Sequence, residues 1–357
     1  MMNPTDISHL DRGDEAAWDA YVHGHEAANL YHLSGWREVI ESTYGHDTHF
    51  LVARHQGAIT GICPLVHLKH FIFGNTLYSL PFFDLGGILA DDRETEAALL
   101  EAAMSIARDR EVASVELRNA DSAELLEASR DDGVAVERLS HKVRMVLDLP
   151  GTSEELMQSF KTKFRTKVRL PAKKGCTCRY GGAELVDEFY KVFCVNMRDL
   201  GSPVHSRKLF DNVMRVFADD ARLFIVDKDD QQLAAGMVIG FRDMLFNPWA
   251  SALKEWSNIR PNTHLYWNIL EYAIGEGFKR FDFGRSDPGG NTFVFKQSWG
   301  AEPVPVNWYR LQLDGHIETS EDKTGKSRFD TAIHYWKKLP VPVANLLGPG
   351  VRKHIGL

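Results

Sequence analysis

Arg280-Phe281-Asp282-Phe283-Gly284-Arg285-Ser286-Asp287, followed by Asn291-Thr292-Phe293-Val294-Phe295-Lys296-Gln297-Ser298-Trp299-Gly300, joins core-type aromatics and glycines to several charged groups. Asp282, Asp287, Arg285 and Lys296 are each costly to bury without a partner. A functional site is the economical explanation of such a mixture.

Working outward, the strand Arg280 to Asp287 follows a helical pattern from His264 to Gly275. That helix follows a hairpin: Leu223-Phe224-Ile225-Val226, a turn from Asp227 to Gln232, and Leu233 to Ile239. The first half of the chain has the same order. Phe50 to Ala53, a turn at Gln56-Gly57 and Ile59 to Val66 form a hairpin, Glu94 to Arg108 a helical pattern, and Ser114 to Asp121 a strand. Glu116 then aligns with Asp282 and Asp121 with Asp287, at an offset of about 170 residues. Two similar α/β units in tandem follow, each a mixed sheet flanked by helices, a plan that fits the acetyltransferase-like (GNAT) fold.

A boundary is expected near residue 150, where the apolar run Val143 to Pro150 meets Gly151 and the capped helix start Thr152-Ser153-Glu154-Glu155-Leu156. The expected domains are 1–150, 151–320 and a tail, 321–357. A length of 357 residues suits two cores better than one. The net charge of -7 excludes a uniformly basic nucleic-acid binder. Cys63, Cys176, Cys178 and Cys194 lack the spacing of a zinc site and read as reduced thiols, so no metal is expected. No signal-peptide core and no apolar run long enough to span a membrane is visible, so a cytoplasmic location is expected.

The run Phe281 to Ser286 with Phe295-Lys296-Gln297-Ser298-Trp299-Gly300-Ala301-Glu302-Pro303 resembles the C-terminal signature of FemAB-like acyltransferases, which have tandem GNAT-type domains. The basic segment Phe160 to Arg169 and the loop Met197 to His205 carry the same resemblance, which is strongest from about 155 to 310. The resemblance is to the branch associated with exosortase and exopolysaccharide systems. It implies acyl or aminoacyl transfer to a cell-envelope, peptidoglycan or exopolysaccharide precursor, which is small or lipid-linked. It also implies no tightly bound cofactor and an activated donor: acyl-CoA, aminoacyl-tRNA or another acyl group. The chain lacks the long charged heptad insertion of the peptidoglycan-bridge enzymes, which argues against tRNA. It also lacks the Arg/Gln-x-x-Gly-x-Gly/Ala pyrophosphate loop of acetyl-CoA enzymes. An ordinary acyl-CoA-dependent N-acetyltransferase and a non-catalytic scaffold of envelope assembly are the alternatives.

Acyl transfer to an amine needs an oriented donor, a neutral nucleophile and stabilisation of the oxyanion. Lys296, expected on a strand returning beside Phe281 to Arg285, is the candidate for the oxyanion or a donor phosphate, and a snorkelling surface lysine is the alternative. Arg285 is the candidate phosphate or carboxylate clamp, with Asp282 holding it; a purely structural Asp282–Arg285 pair is the other reading. Lys161, Arg165 and Arg169, at i, i+4 and i+8, share a helix face suited to substrate phosphate, or simply a solvated one. Ser286 and Trp299 enter the substrate set with the signature in which they stand. His205 is an acid–base candidate or a solvated loop histidine, and Tyr266 a substrate contact or core. The basic, aromatic tail around Tyr335-Trp336-Lys337-Lys338 either docks on the protein or touches a membrane peripherally, and its prolines preclude one long amphipathic helix.

Overall fold

The computed structural model describes residues 5–119, 134–139, 142–313 and 329–356. Its described residues form two compact units. The first comprises residues up to 139 with 305–313 and 353–356, the second 142–304 and 329–352.

In the first unit β1 (Asp6–His9), α1 (Glu15–Gly24) and α2 (Gly35–Tyr44) precede the hairpin of β2 (Asp47–His55) and β3 (Ala58–His70). Next come β4 (Gly74–Tyr78), the short β5 (Leu89–Ala90), α3 (Arg93–Asp109), β6 (Ser114–Asn119) and β7 (Ala135–Arg138). Asp92 caps α3 by accepting from the Thr95 N–H at 2.8 Å. Leu99, Leu100, Ala103, Met104 and Ala107 of α3, at helical spacing, pack on Leu51, Leu65, Leu77, Val115 and Leu117 of the sheet. Asp121, the expected end of the β6 strand, lies outside the described residues.

The second unit contains β8 (Val143–Asp148), α4 (Ser153–Ser159), α5 (Thr162–Lys173), β9 (Thr177–Gly181), α6 (Val186–Leu200) and α7 (Arg207–Val216). The hairpin β10 (Ala221–Lys228) and β11 (Gln231–Phe241), then β12 (Met244–Ala252), α8 (Pro261–Gly275), β13 (Arg280–Ser286), α9 (Asn291–Gln297) and β14 (Glu302–Pro305) complete its central order. After β15 (Asn307–Gln312), α10 (Asp330–Trp336) and α11 (Val341–Arg352) return to this unit. Thr152 and Glu155 form a capping box at the start of α4, as that sequence predicts.

The repeat is visible in the sheets. β4 runs parallel to β6 with Tyr78 opposite Glu116, and β12 runs parallel to β13 with Phe246 opposite Asp282. On the far side of each, an antiparallel strand follows: β15 beside β6, β8 beside β13. These two strands correct the expected boundaries. β8 falls within the expected first domain but belongs to the second sheet, and β15 falls within the expected second domain but belongs to the first. Hydrophobic pattern marks a strand without naming its neighbour, so such an exchange is invisible to it.

His32 is buried and its Nδ1 accepts the Asn29 N–H at 3.1 Å. Burial pulls its pKa down to about 4. An unfolded histidine titrates near 6.5, so between about pH 6.5 and 4 the unfolded chain takes up a proton that the folded one refuses. This contribution, complete above the unfolded pKa, is lost as the pH falls and is worth about 3 kcal/mol. Urea midpoints at pH 7 and 4.5 should therefore drop less in His32→Asn, which keeps an acceptor at the Nδ1 position, than in the wild type. Equal drops would assign the acid sensitivity elsewhere.

Candidate functional site

β13 carries the signature residues on a distorted strand. Its register against β8 shifts between Asp282 and Arg285, and Gly284 takes φ 74, a conformation glycine adopts without strain. The bulge removes backbone groups from the ladder, and side chains take them up. Asp282 Oδ1 accepts the Gly284 N–H at 2.8 Å. Lys296 Nζ donates to Gly284 O at 3.0 Å and to Arg285 O at 2.8 Å. Beyond Phe246 and Asp282 the parallel pairing of β12 with β13 stops. There the adjacent Pro248 has no N–H to offer.

Two expectations change here. Residues 291–297 form α9, not a strand, and Lys296 reaches back from that helix to the bulge, 7% exposed rather than snorkelling to water. Asp282 does not hold Arg285. Its Oδ2 accepts Arg144 Nε and Nη2 at 2.9 and 2.7 Å, an ion pair buried between β13 and β8. Arg285 is half-buried, opposite Arg144 in the ladder. Arg144 was not singled out from sequence, because its partnership with Asp282 requires a strand that lies far away in the chain. Asp287 is exposed and pairs with Lys142 at 2.9 Å.

An open groove of about 480 Å³ lies where α5 meets α9. Phe160, Phe164 and Trp299 supply its aromatic wall, and Lys161, Lys163 and Lys167 its charge. No carboxylate lines it among the described residues. Phe160 and Phe164 meet the Trp299 ring edge-on at 5.6 and 5.0 Å. That anchorage sets the rotation of α5. Lys163 and Lys167, an i, i+4 pair flanking Phe164, therefore line the groove, whereas Arg165 and Arg169 do not. Arg165 instead donates to Thr162 Oγ1 at 3.0 Å and Arg169 is exposed. Only Lys161 of the expected basic face lines the groove, and Lys296 is not among its lining residues.

The remaining candidates separate. Tyr266 is core, its ring 5.1 Å from that of Phe283 and 5.5 Å from that of Phe295, and burial pushes its phenol pKa up. Trp299 is fully buried, and its Nε1 has no hydrogen-bond partner among the described residues. Ser286 is buried and its hydroxyl has no partner among the described residues. His205 is buried rather than solvated, near Trp249. Burial, with the Arg352 charge adding to it, holds its pKa well below the usual histidine value. All four cysteines are free, and burial pushes the Cys178 thiol up to about 12, far from a thiolate nucleophile.

The first sheet has its own buried pair at the position equivalent to Asp282. Glu116 Oε1 accepts Arg118 Nε and Nη2 at 3.0 and 2.8 Å, and Oε2 accepts Arg310 Nη2 at 3.0 Å. Burial alone would raise the Glu116 pKa, but the two guanidiniums outweigh it and hold the carboxyl below its ordinary value. Both units thus place an acid on the central parallel strand and neutralise it with arginine, the second unit entirely from β8.

Residues 158–297 match the family profile described as Acetyltransferase (GNAT) domain. Over 230 residues, 60% of this chain, the sequence is 23% identical to the lipid II:glycine glycyltransferase of Staphylococcus aureus. The chain spans about half the length of the curated relatives it matches, 54% in that case. Among solved structures, FemX superposes with a TM-score of 0.67 at 17% identity, covering 87% of this chain and 98% of FemX. A tandem GNAT protein from the clavulanic acid biosynthesis pathway superposes with a TM-score of 0.55 at 12% identity, covering 88% of this chain and all of the other. With the repeat seen in the two sheets, these likenesses establish a tandem GNAT-like fold, in a chain that is similar to FemX and to lipid II:glycine glycyltransferase.

Proposed function

We propose that the chain transfers an acyl or aminoacyl group to an amine on a phosphate-bearing precursor of the cell envelope, a peptidoglycan or exopolysaccharide building block. The observation that carries this reading is the groove of Lys161, Lys163 and Lys167 against Phe160, Phe164 and Trp299, with no lining carboxylate among the described residues. Three ammonium groups on one wall repel one another, and an anionic ligand relieves that repulsion. The likeness to the lipid II:glycine glycyltransferase supports an envelope substrate. The tandem GNAT-like fold supports acyl transfer.

In this reading the neutral amine attacks the donor carbonyl, the new C–N bond forms, and the ester or thioester bond breaks as the amine proton passes to the leaving oxygen or sulfur, which departs as the alcohol or thiol. The groove lysines hold substrate phosphate. Lys296 fixes the bulge of β13 and places a buried positive charge beside the reacting carbonyl, where charge develops. Asp282 and Arg144 keep the strand in its bulged register and act as positioning residues.

The deciding experiment offers the protein acyl-CoA or aminoacyl-tRNA donors with lipid-linked and nucleotide-linked envelope precursors, and reads the acceptor mass. An added amino-acid residue supports aminoacyl transfer, while a gain of one acetyl group supports the acetyltransferase reading that the matched domain description suggests. No transfer by a folded protein that still binds the precursor would leave a scaffold. Lys163→Ala with Lys167→Ala should raise KM for the phosphate-bearing substrate about tenfold or more with little change in kcat or melting temperature. Unchanged KM together with unchanged salt dependence would remove the groove from substrate binding.

A further inference from the structure

Helices α10 and α11 turn large apolar side chains toward solvent. Ala344, Gly348 and Arg352 of α11, at i, i+4 and i+8, are buried, and a Cβ on Gly348 would stand 2.8 Å from Val204 Cγ1. The opposite face is apolar as well, yet it meets solvent. Leu346 is 81% exposed, Leu347 49% and Val343 38%. On α10, Tyr335 is 65% exposed and Ile333 36%. The C-terminus of α6 adjoins α10, since a Cβ on Gly201 would meet Ile333 and Lys337, and it adds Leu200 at 59%. More than half of the large apolar side chains exposed among the described residues therefore belong to these three neighbouring elements of one unit.

Charge says what covers this face. From 330 to 352 the segment holds Lys337, Lys338 and Arg352 against one acid, Asp330 at the start of α10, in a chain with 49 acids and 42 bases. Lys337 and Lys338 are exposed, and the Lys338 ammonium lies 5.9 Å from the centre of the Tyr335 ring. A second copy of the chain would bring like charges together across such a face. An apolar ridge edged by lysines and an exposed tyrosine suits the boundary between acyl chains and anionic headgroups. Pro340 separates the two helices, so both are short and lie on the surface without crossing; no helix of the described residues is long and apolar enough to span a membrane.

We propose that the α10–α11 face is a peripheral docking surface for an anionic lipid bilayer, with Val343, Leu346 and Leu347 entering the interface and Lys337 and Lys338 pairing with headgroup phosphates. The surface acts whatever group the enzyme transfers. The test uses the full chain without substrate, so its failure and failure of the acyltransferase reading are distinguishable. The chain is sedimented with vesicles of phosphatidylcholine alone or mixed with phosphatidylglycerol, at low and high salt. Wild type should partition onto the anionic vesicles, and Leu346→Asp with Leu347→Asp should weaken that binding at least tenfold. Lys337→Gln with Lys338→Gln should abolish the preference for phosphatidylglycerol. Circular dichroism checks that both variants keep the wild-type fold, as substitutions of exposed residues should. Wild type that stays in the supernatant with anionic vesicles, or a leucine variant that binds as well as wild type, overturns the proposal. So does a wild-type dimer that the leucine variant converts to monomer, which would assign the face to a second copy.

Discussion

Lys296→Met is expected to lower turnover by on the order of 100-fold or more, because it removes the buried positive charge beside the bulge while preserving the unbranched stem. The structure adds a second expected effect. Nζ is the donor to the carbonyls of Gly284 and Arg285, and methionine leaves both without it. A deprived acceptor costs up to about 1–3 kcal/mol when buried and less here, where both carbonyls are part-buried, so the melting temperature should fall modestly as well. The two effects separate if kcat is measured well below the variant's melting temperature. Lys296→Arg keeps charge and donors but replaces a compact ammonium with a planar fork, and should recover stability more fully than turnover. Wild-type turnover in folded Lys296→Met would confine Lys296 to holding the strand.

Arg118→Met should be the most destabilising single substitution in the first unit. The guanidinium is fully buried, bound to Glu116, to Phe83 O and, at 3.0 Å, to Gly356 O, and it sits 4.8 Å from the centre of the Trp308 ring. Methionine fills much of the volume but removes the guanidinium donors to Phe83 O and Gly356 O and leaves Glu116 with Arg310 alone. Breaking one side of a buried pair costs about 3–5 kcal/mol, readable as a large drop in the urea midpoint. Glu116→Gln with Arg118→Met should be milder than Arg118→Met alone, since no buried carboxylate then lacks its partner. A loss below about 1 kcal/mol in the single variant would show that Arg310 suffices for Glu116.

Local pattern carried most of the elements. The two hairpins, the helices α3 and α8 and the strand β13 stand where their apolar periods and turns place them, and the tandem order follows from their repetition. What failed did so where an interaction spans the chain. Arg144 answers Asp282 across a large sequence separation, and nothing near either residue announces it. The Phe293 to Trp299 run is rich in β-forming aromatics, yet packing of Phe295 and Trp299 on Tyr266 makes 291–297 helical. The basic segment was legible as charge, but its working face was not. Phe164 against Trp299 decides that rotation, and a charge count alone cannot. Proline breaks in the tail correctly excluded one long helix, while the outward turn of its leucines required knowing that Ala344 and Gly348 face the body.

Synthesis proceeds from the N-terminus, and the placement of β15 gives that order a consequence. The neighbour of β6 in the first sheet is Asn307–Gln312, and Arg118 and the Phe82 N–H both bind the carbonyl of Gly356. The unit that emerges first from the ribosome therefore cannot finish first. Until those late segments arrive, β6 presents an unpaired edge of the kind that recruits foreign strands. The strands of the second sheet all lie within 143–305, so that sheet can zip up while the earlier one waits. Closure over so long a sequence separation is slow. The nascent chain consequently spends its most aggregation-prone interval with the older half open, and chaperone dependence during translation should be concentrated there.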